Sequence, residues 1–250
     1  MTRPILFGVP LDPLTMDETV AHCAELIECG RPVQHVVINA GKVVMMEDVP
    51  GLREVIAACD LVSADGQSIV WAGRFCGIDV PERVAGIDLM WRLLAEAETR
   101  GWPVYLLGAR EEVVQACATR ILEVHPHLVF AGVRNGYFAD DVAVARAVAE
   151  SGARLLFVGI TSPRKEFFLA EHLPAMGPVF AMGVGGSFDV IAGLTRRAPV
   201  WMQRLGLEWF YRFAQEPRRM WKRYLVGNTR FIALTLRERR HHKEKRRRTA

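Results

Sequence analysis

Six short apolar runs punctuate the chain: HVVIN (35–39), DLVSA (60–64), PVYLLG (103–108), LVFAGV (128–133), RLLFVGI (154–160) and PVFAMGV (178–184). Each is continuous rather than alternating, the pattern of a strand buried on both faces. Between them, apolar residues recur at helical spacing in GIDLMWRLLAEAETRG (86–101), REEVVQACATRILEVHP (110–126) and DDVAVARAVAESG (140–152). Each of these segments stops at a Gly or Pro, as helices do. Strand and helix alternate, which predicts an α/β fold with a Rossmann-like, doubly wound, mostly parallel sheet. No internal repeat stands out.

That architecture places a site before any chemistry is considered. In open parallel sheets, ligands bind beyond the carboxyl ends of the strands, where polar loops meet the positive N-termini of the following helices. Asn39, Asp65, Gly108, Asn135, Thr161 and Gly183 to Gly186 all fall at such ends. One crevice is expected to collect them.

Several of these residues have two readings. Asp65, followed by Gly66 and Gln67, is placed either to accept a proton from a hydroxyl nucleophile or to cap the next helix. GVGGSFDVIAG (183–193), which contains Gly185, Gly186 and Asp189, offers backbone N–H groups to phosphate oxygens or simply turns tightly. It lacks the spacing of a dinucleotide fingerprint and of a P-loop. In GITSPRKEFF (159–168), Arg164 and Lys165 stand at a helix start, where they meet an anionic ligand or face water.

Composition adds a second region. The chain has 250 residues, half of them hydrophobic, enough for one sizeable core and an appendage. From Trp201 onward there are 15 Lys and Arg against 4 Glu, a balance of +11; the net +4 of the whole chain leaves −7 for the first 200 residues. Trp201, Met202, Leu205, Leu207, Trp209 and Phe210 are interleaved with those cations. Such a segment suits an anionic membrane surface, or else a helix packed on the core with solvated charges. The expected division is a core at 1–198, a basic amphipathic helical appendage at 199–236 and a disordered basic tail at 237–250.

No apolar run approaches the roughly 18 residues that cross a bilayer, and the first residues do not read as a secretory signal, so a cytoplasmic location is expected. Cys23, Cys29, Cys59, Cys76 and Cys117 lack paired spacing and read as buried free thiols. His125-Pro126-His127 has no accompanying ligands and reads as a loop. Two rival functions fit parts of the chain: a nucleotide-binding oxidoreductase, on the sheet and its Gly-rich turns, and a nucleic-acid-binding protein, on the basic tail.

INAGKVV, ADGQSIVWAGRF, ERVAGIDLM, LLGA, NGYF, GVGGSFDVIAG and RRAPVWMQRLGLEWFYRFAQEPRRMWKRYL occur in this order over residues 35 to 232. Together they resemble the WecG/TagA/CpsF glycosyltransferases. The resemblance implies an inverting, metal-independent hexosyltransferase without a cofactor. It moves an N-acetylmannosamine-type or related hexose or uronic acid from a UDP-sugar to a polyprenyl-diphosphate-linked sugar. The products feed teichoic acid, exopolysaccharide or other cell-envelope polymers. The implied partners are the UDP-sugar donor, the lipid-linked acceptor and the anionic inner leaflet of the cell membrane, to which the protein attaches peripherally. No nucleic acid is implied, and a homo-oligomer is compatible with the pattern.

Carried onto this chain, the resemblance makes Asp65 the general base and sets Asn39 beside it. Arg83 holds the acceptor diphosphate or orders the site, and Arg212, Arg219 and Arg223 fold over the crevice to neutralise departing UDP. Gln67, Gly108, Asn135, Lys165, Gly185, Gly186 and Asp189 complete the substrate-binding set. Three positions depart from the family's usual pattern: Val37 replaces a Thr, Lys165 replaces a Gln, and Gly41 replaces the Glu of the common NAE form. A cation in place of an amide favours an acidic sugar or a diphosphate oxygen.

Overall fold

A computed structural model describes residues 3–249 except 205 and 216, and leaves out the side chains at 204, 212, 217–225, 245, 246, 248 and 249. The chain opens with a two-stranded antiparallel ribbon, β1 (Ile5–Leu6) and β2 (Val9–Pro10), followed by α1 (Met16–Glu28). The first half then runs β3 (Val33–Ile38), α2 (Ala40–Asp48), α3 (Leu52–Ala57), β4 (Leu61–Ala64), α4 (Gln67–Cys76) and α5 (Gly86–Arg100). The second runs β5 (Val104–Gly108), α6 (Glu111–Val124), β6 (Phe130–Arg134), α7 (Asp141–Ser151), β7 (Leu155–Gly159), α8 (Arg164–His172), β8 (Phe180–Gly183) and α9 (Ser187–Ile191). Three helices end the chain: α10 (Val200–Arg204), α11 (Glu208–Gln215) and α12 (Pro217–Thr249).

Strands β3 to β8 form one parallel sheet in the order β4-β3-β8-β7-β5-β6. Alternate residues serve opposite faces. Phe157 and Met182 point into the layer of α1, α5 and α6, while Leu156, Val158 and Ala181 point into the layer of α7 and α8. On that second face, Val36, Ile38 and Val62 meet α2, α3 and α4. A sheet covered on both sides explains the unbroken apolar runs.

Two expectations fail at the edges. LVFAGV is only half-buried, because β6 is the outermost strand and one flank has no neighbour. Cys29, at the exposed end of α1, is not buried, whereas the other four cysteines are. A third difference is larger: residues 237–249, expected to be disordered, continue α12. Partners distant in sequence hold this stretch. Arg237 pairs with Glu47 at 2.9 Å, the Phe7 N–H donates to Glu238 at 2.9 Å, and Arg239 lies 3.8 Å over the Phe75 ring.

Candidate functional site

A crevice of about 990 Å³ lies beyond the carboxyl ends of the sheet, where β3 leads outward to β4 on one side and β5 to β6 on the other. Asn39, Asp65, Thr161 and Gly183 to Gly186 line it, as the strand-end rule predicts. Asn39 follows β3 and caps α2, its side-chain oxygen accepting from the Lys42 N–H at 3.0 Å. Asp65 follows β4, and its N–H extends the β3–β4 ladder by donating to the Ile38 carbonyl at 2.8 Å. The N-cap position of α4 falls on Gly66, one residue beyond Asp65. A Cβ built on Gly66 would sit 3.8 Å from that of Asn39, which sets the two loops side by side.

The adjoining wall carries an ionic group that spacing alone does not reveal. Lys42 and Lys165 both bond one oxygen of Glu166, at 2.7 and 3.0 Å, and the Ser162 hydroxyl donates to the same oxygen at 2.9 Å. Lys165 also donates to Ser162. Lys165 crosses the end of β8 over Gly183, where a Cβ would approach its Cε to 2.6 Å and displace the lysine. Burial, reinforced by the Lys42 charge, lowers the Lys165 pKa to about 8. Burial raises that of Glu166, but the two lysines outweigh it and bring the carboxyl down to about 2. Lys42 and Glu166 carry a signal in hindsight, as charges set among apolar neighbours in GKVVMM and KEFFLA.

Gly185, Gly186 and Asp189 line the crevice at the start of α9, and Arg110, Tyr137 and Arg164 also line it. Gly108 and Asn135 do not line it. Gly108, at φ 147°, lets β5 and β7 end in close contact, since a Cβ there would meet Gly159 backbone at 2.5 Å. Asn135 holds the turn after β6 by donating to Glu111 at 2.7 Å and accepting from the Tyr137 N–H at 3.0 Å. Both act through the loops they shape, whose neighbours Ala109 and Gly136 reach the cavity.

The C-terminal helices close the remaining side, through Glu208, Gln215, Val226, Gly227 and Arg230. Arg197 grips Asp88 of α5 with two bonds, 2.5 and 2.7 Å, and reaches Glu208 of α11 at 3.2 Å. Arg83 bonds the other Glu208 oxygen and does not itself line the crevice. Gln67 also lies outside the lining, packed beneath the Gly206 turn. Arg230 makes a two-pronged pair with Asp48 at 2.6 and 2.7 Å, and Phe231 packs against Phe7 with ring centroids 5.6 Å apart. The side chains of Arg212, Arg219 and Arg223 lie outside the described residues.

Trp201, Trp209 and Phe210 are 60, 43 and 49 % exposed, while Met202 is buried. Trp71 of α4, itself exposed, borders the Gly206 turn and extends this surface. Among the described residues no helix is long and apolar enough to cross a membrane, and no three His, Cys, Asp or Glu side chains gather as a metal site would require.

The sequence matches the model of the Glycosyl transferase WecG/TagA/CpsF family over residues 4–245. It is also 34 % identical, over 172 residues, to the N-acetylglucosaminyldiphosphoundecaprenol N-acetyl-beta-D-mannosaminyltransferase of Bacillus subtilis (strain 168), covering 69 % of this chain and 67 % of that one. A parallel α/β sheet, a strand-end crevice and a match that extends through the C-terminal helices agree: this chain is a sugar-transferring enzyme of cell-envelope polymer synthesis and belongs to the WecG/TagA/CpsF family.

Proposed function

We propose that the protein transfers a hexose-type sugar from a UDP-sugar to a polyprenyl-diphosphate-linked sugar, inverting the anomeric centre and using no metal. The observation that carries this reading is Asp65 lining the crevice beside Asn39, with the N-cap position of α4 on Gly66. The acceptor hydroxyl attacks the anomeric carbon and gives its proton to Asp65. The bond from that carbon to the diphosphate oxygen breaks, and UDP leaves on the opposite face. Charge developing on the diphosphate is met by cations. Arg164 and Arg230 line the crevice, and Arg212, Arg219 and Arg223 are the further candidates in the C-terminal helices. Preorganised charge of this kind is worth on the order of 3 kcal/mol per well-placed donor where water is excluded.

The division into a core at 1–198 and an appendage from 199 belongs to the same proposal. The exposed Trp71, Trp201, Trp209 and Phe210, flanked by basic helices, support peripheral contact with an anionic inner leaflet, where the acceptor lipid resides. A closed site would then form where the acceptor is, and idle hydrolysis of the donor would be limited.

The test is a panel of UDP-sugars incubated with the protein and a synthetic polyprenyl-diphosphate sugar, scored for UDP release and lipid product by mass. One donor is expected to give product, and Asp65→Asn is expected to lower turnover by about 10³-fold with UDP affinity unchanged. Strong residual turnover in the variant would remove Asp65 from the role of base.

A further inference from the structure

Glu166 is 1 % exposed and does not line the crevice, yet three groups that do line it converge on one of its oxygens: Lys42, Lys165 and Ser162, at 2.7, 3.0 and 2.9 Å. Its other oxygen is buried without a hydrogen-bond partner. As a source of stability this is a poor arrangement. Taking two charges out of water costs as much as a buried ion pair returns, and an unpartnered carboxylate oxygen adds to the cost. An apolar pair of the same volume would hold the fold as well or better. What the ion pair has that an apolar pair lacks is direction.

The direction leads to the strand-end loops. Glu166 stands in the first turn of α8, just beyond β7, and Lys42 in the first turn of α2, just beyond β3. β8 lies between those two strands, so the pair spans the sheet where no ladder joins β3 to β7. Lys42 is held at both ends. Its Nζ is fixed by Glu166, and its backbone N–H donates to the Asn39 side-chain oxygen at 3.0 Å. A backbone N–H only donates, so the Asn39 oxygen is committed to this bond and its NH2 is the end left for other partners. Asn39 in turn adjoins the Asp65 loop, whose N–H bonds the Ile38 carbonyl one residue before Asn39. We infer that Glu166 is a positioning residue for sugar transfer: through Lys42 it sets the first turn of α2, and with it the place of Asn39 against Asp65. This rests on the transfer reading proposed above, in which Asp65 takes the acceptor proton. Glu166 touches no reacting atom, so its removal shifts geometry rather than chemistry. A displacement of about 1 Å at a reacting group is enough to cost about 10²-fold in rate.

The test compares Glu166→Gln, Asn39→Ala and the double variant in the full chain, with the UDP-sugar panel and the synthetic lipid acceptor. Glu166→Gln is expected to lower kcat about tenfold or more with donor KM within about twofold, and to add no further loss once Asn39 is alanine. An unchanged kcat overturns the inference, as do losses that multiply in the double variant. Hydrogen exchange reads the same link without substrate. The Lys42 and Asp65 amides are expected to exchange at least about tenfold faster in Glu166→Gln, and unchanged exchange at both overturns the inference. If that variant does not fold, Lys42→Met with Glu166→Leu removes one charge of each sign. This pair is expected to match or exceed the wild-type urea midpoint and still to turn over about tenfold more slowly. Wild-type turnover in it would dispose of the positioning role. Faster exchange at Lys42 with no product from any UDP-sugar would sink the transfer reading and leave the link from Glu166 to Asn39 standing.

Discussion

In the sheet, Phe157, Phe180 and Met182 are sealed from water between helices, whereas along the described parts of α10 to α12 only Met202 and Phe231 are buried to a similar degree. Among the described residues those helices are otherwise attached largely by ion pairs: Arg197 to Asp88 and Glu208, Arg83 to Glu208, Arg230 to Asp48, and Arg237 to Glu47. Apolar burial is insensitive to salt and gives the sheet a single arrangement. Partly exposed ion pairs are screened and individually weak, so a segment held by them can open and close without disturbing the sheet. A wall held by packing and a wall held by ion pairs suit the lipid-borne acceptor proposed above.

The comparison can be broken most severely from the fixed side. Phe157→Ala removes a fully buried ring and is expected to destabilise the fold by about 3–5 kcal/mol, read as a lower urea midpoint. A loss below about 1 kcal/mol would mean that the sheet is not the rigid partner. From the adjustable side, Arg197→Ala should leave the urea midpoint nearly unchanged and lower turnover about tenfold by releasing α11. Raised salt should reproduce part of that loss in the wild type, and a parallel fall in midpoint and turnover would instead assign α11 to the core.

The smallest effect lies where the crevice wall carries charge. The Lys165 pKa is held near 8, below the ordinary 10.5, first by burial and then by Lys42. The unfolded chain keeps its proton on this lysine up to the ordinary value. Between pH 8 and 10.5 the unfolded state therefore binds more protons, and the Lys165 contribution to stability rises with pH across that window. Denaturation midpoints compared across it should differ in slope between wild type and Lys165→Gln, and identical slopes would contradict the buried charge. At acid pH Glu166 contributes in the other sense: its stabilisation is complete above 4.5 and is lost as pH falls toward about 2.

Much of the scaffold is legible because burial on two faces writes itself locally, as in LLFVG of β7 and the helical spacing of α5. Asn39 and Asp65 are legible for the same reason, since the end of an apolar run marks the end of a strand. The ionic wall is not, because Lys42 and Glu166 are 124 positions apart and their pairing is made only by the sheet. Gly108 and Asn135 sit at strand ends yet shape loops instead of facing the cavity, a distinction of local geometry that spacing does not encode. Residues 237–249 read locally as a solvated charge run, but their helix rests on Glu47, Phe7 and Phe75, all far back in the chain.

The place of β8 has a consequence for how the molecule is made. It is the last strand to leave the ribosome, yet it occupies the middle of the sheet, between β3 and β7. A nascent chain that ends before Phe180 holds two half-sheets, β4-β3 and β7-β5-β6, each with an unpaired inner edge. Those edges are templates for pairing with other chains. Stability therefore arrives late and all at once, when Phe180–Gly183 slots in as a keystone. Translation that stalls upstream leaves a product for chaperones and proteases rather than a partly working enzyme.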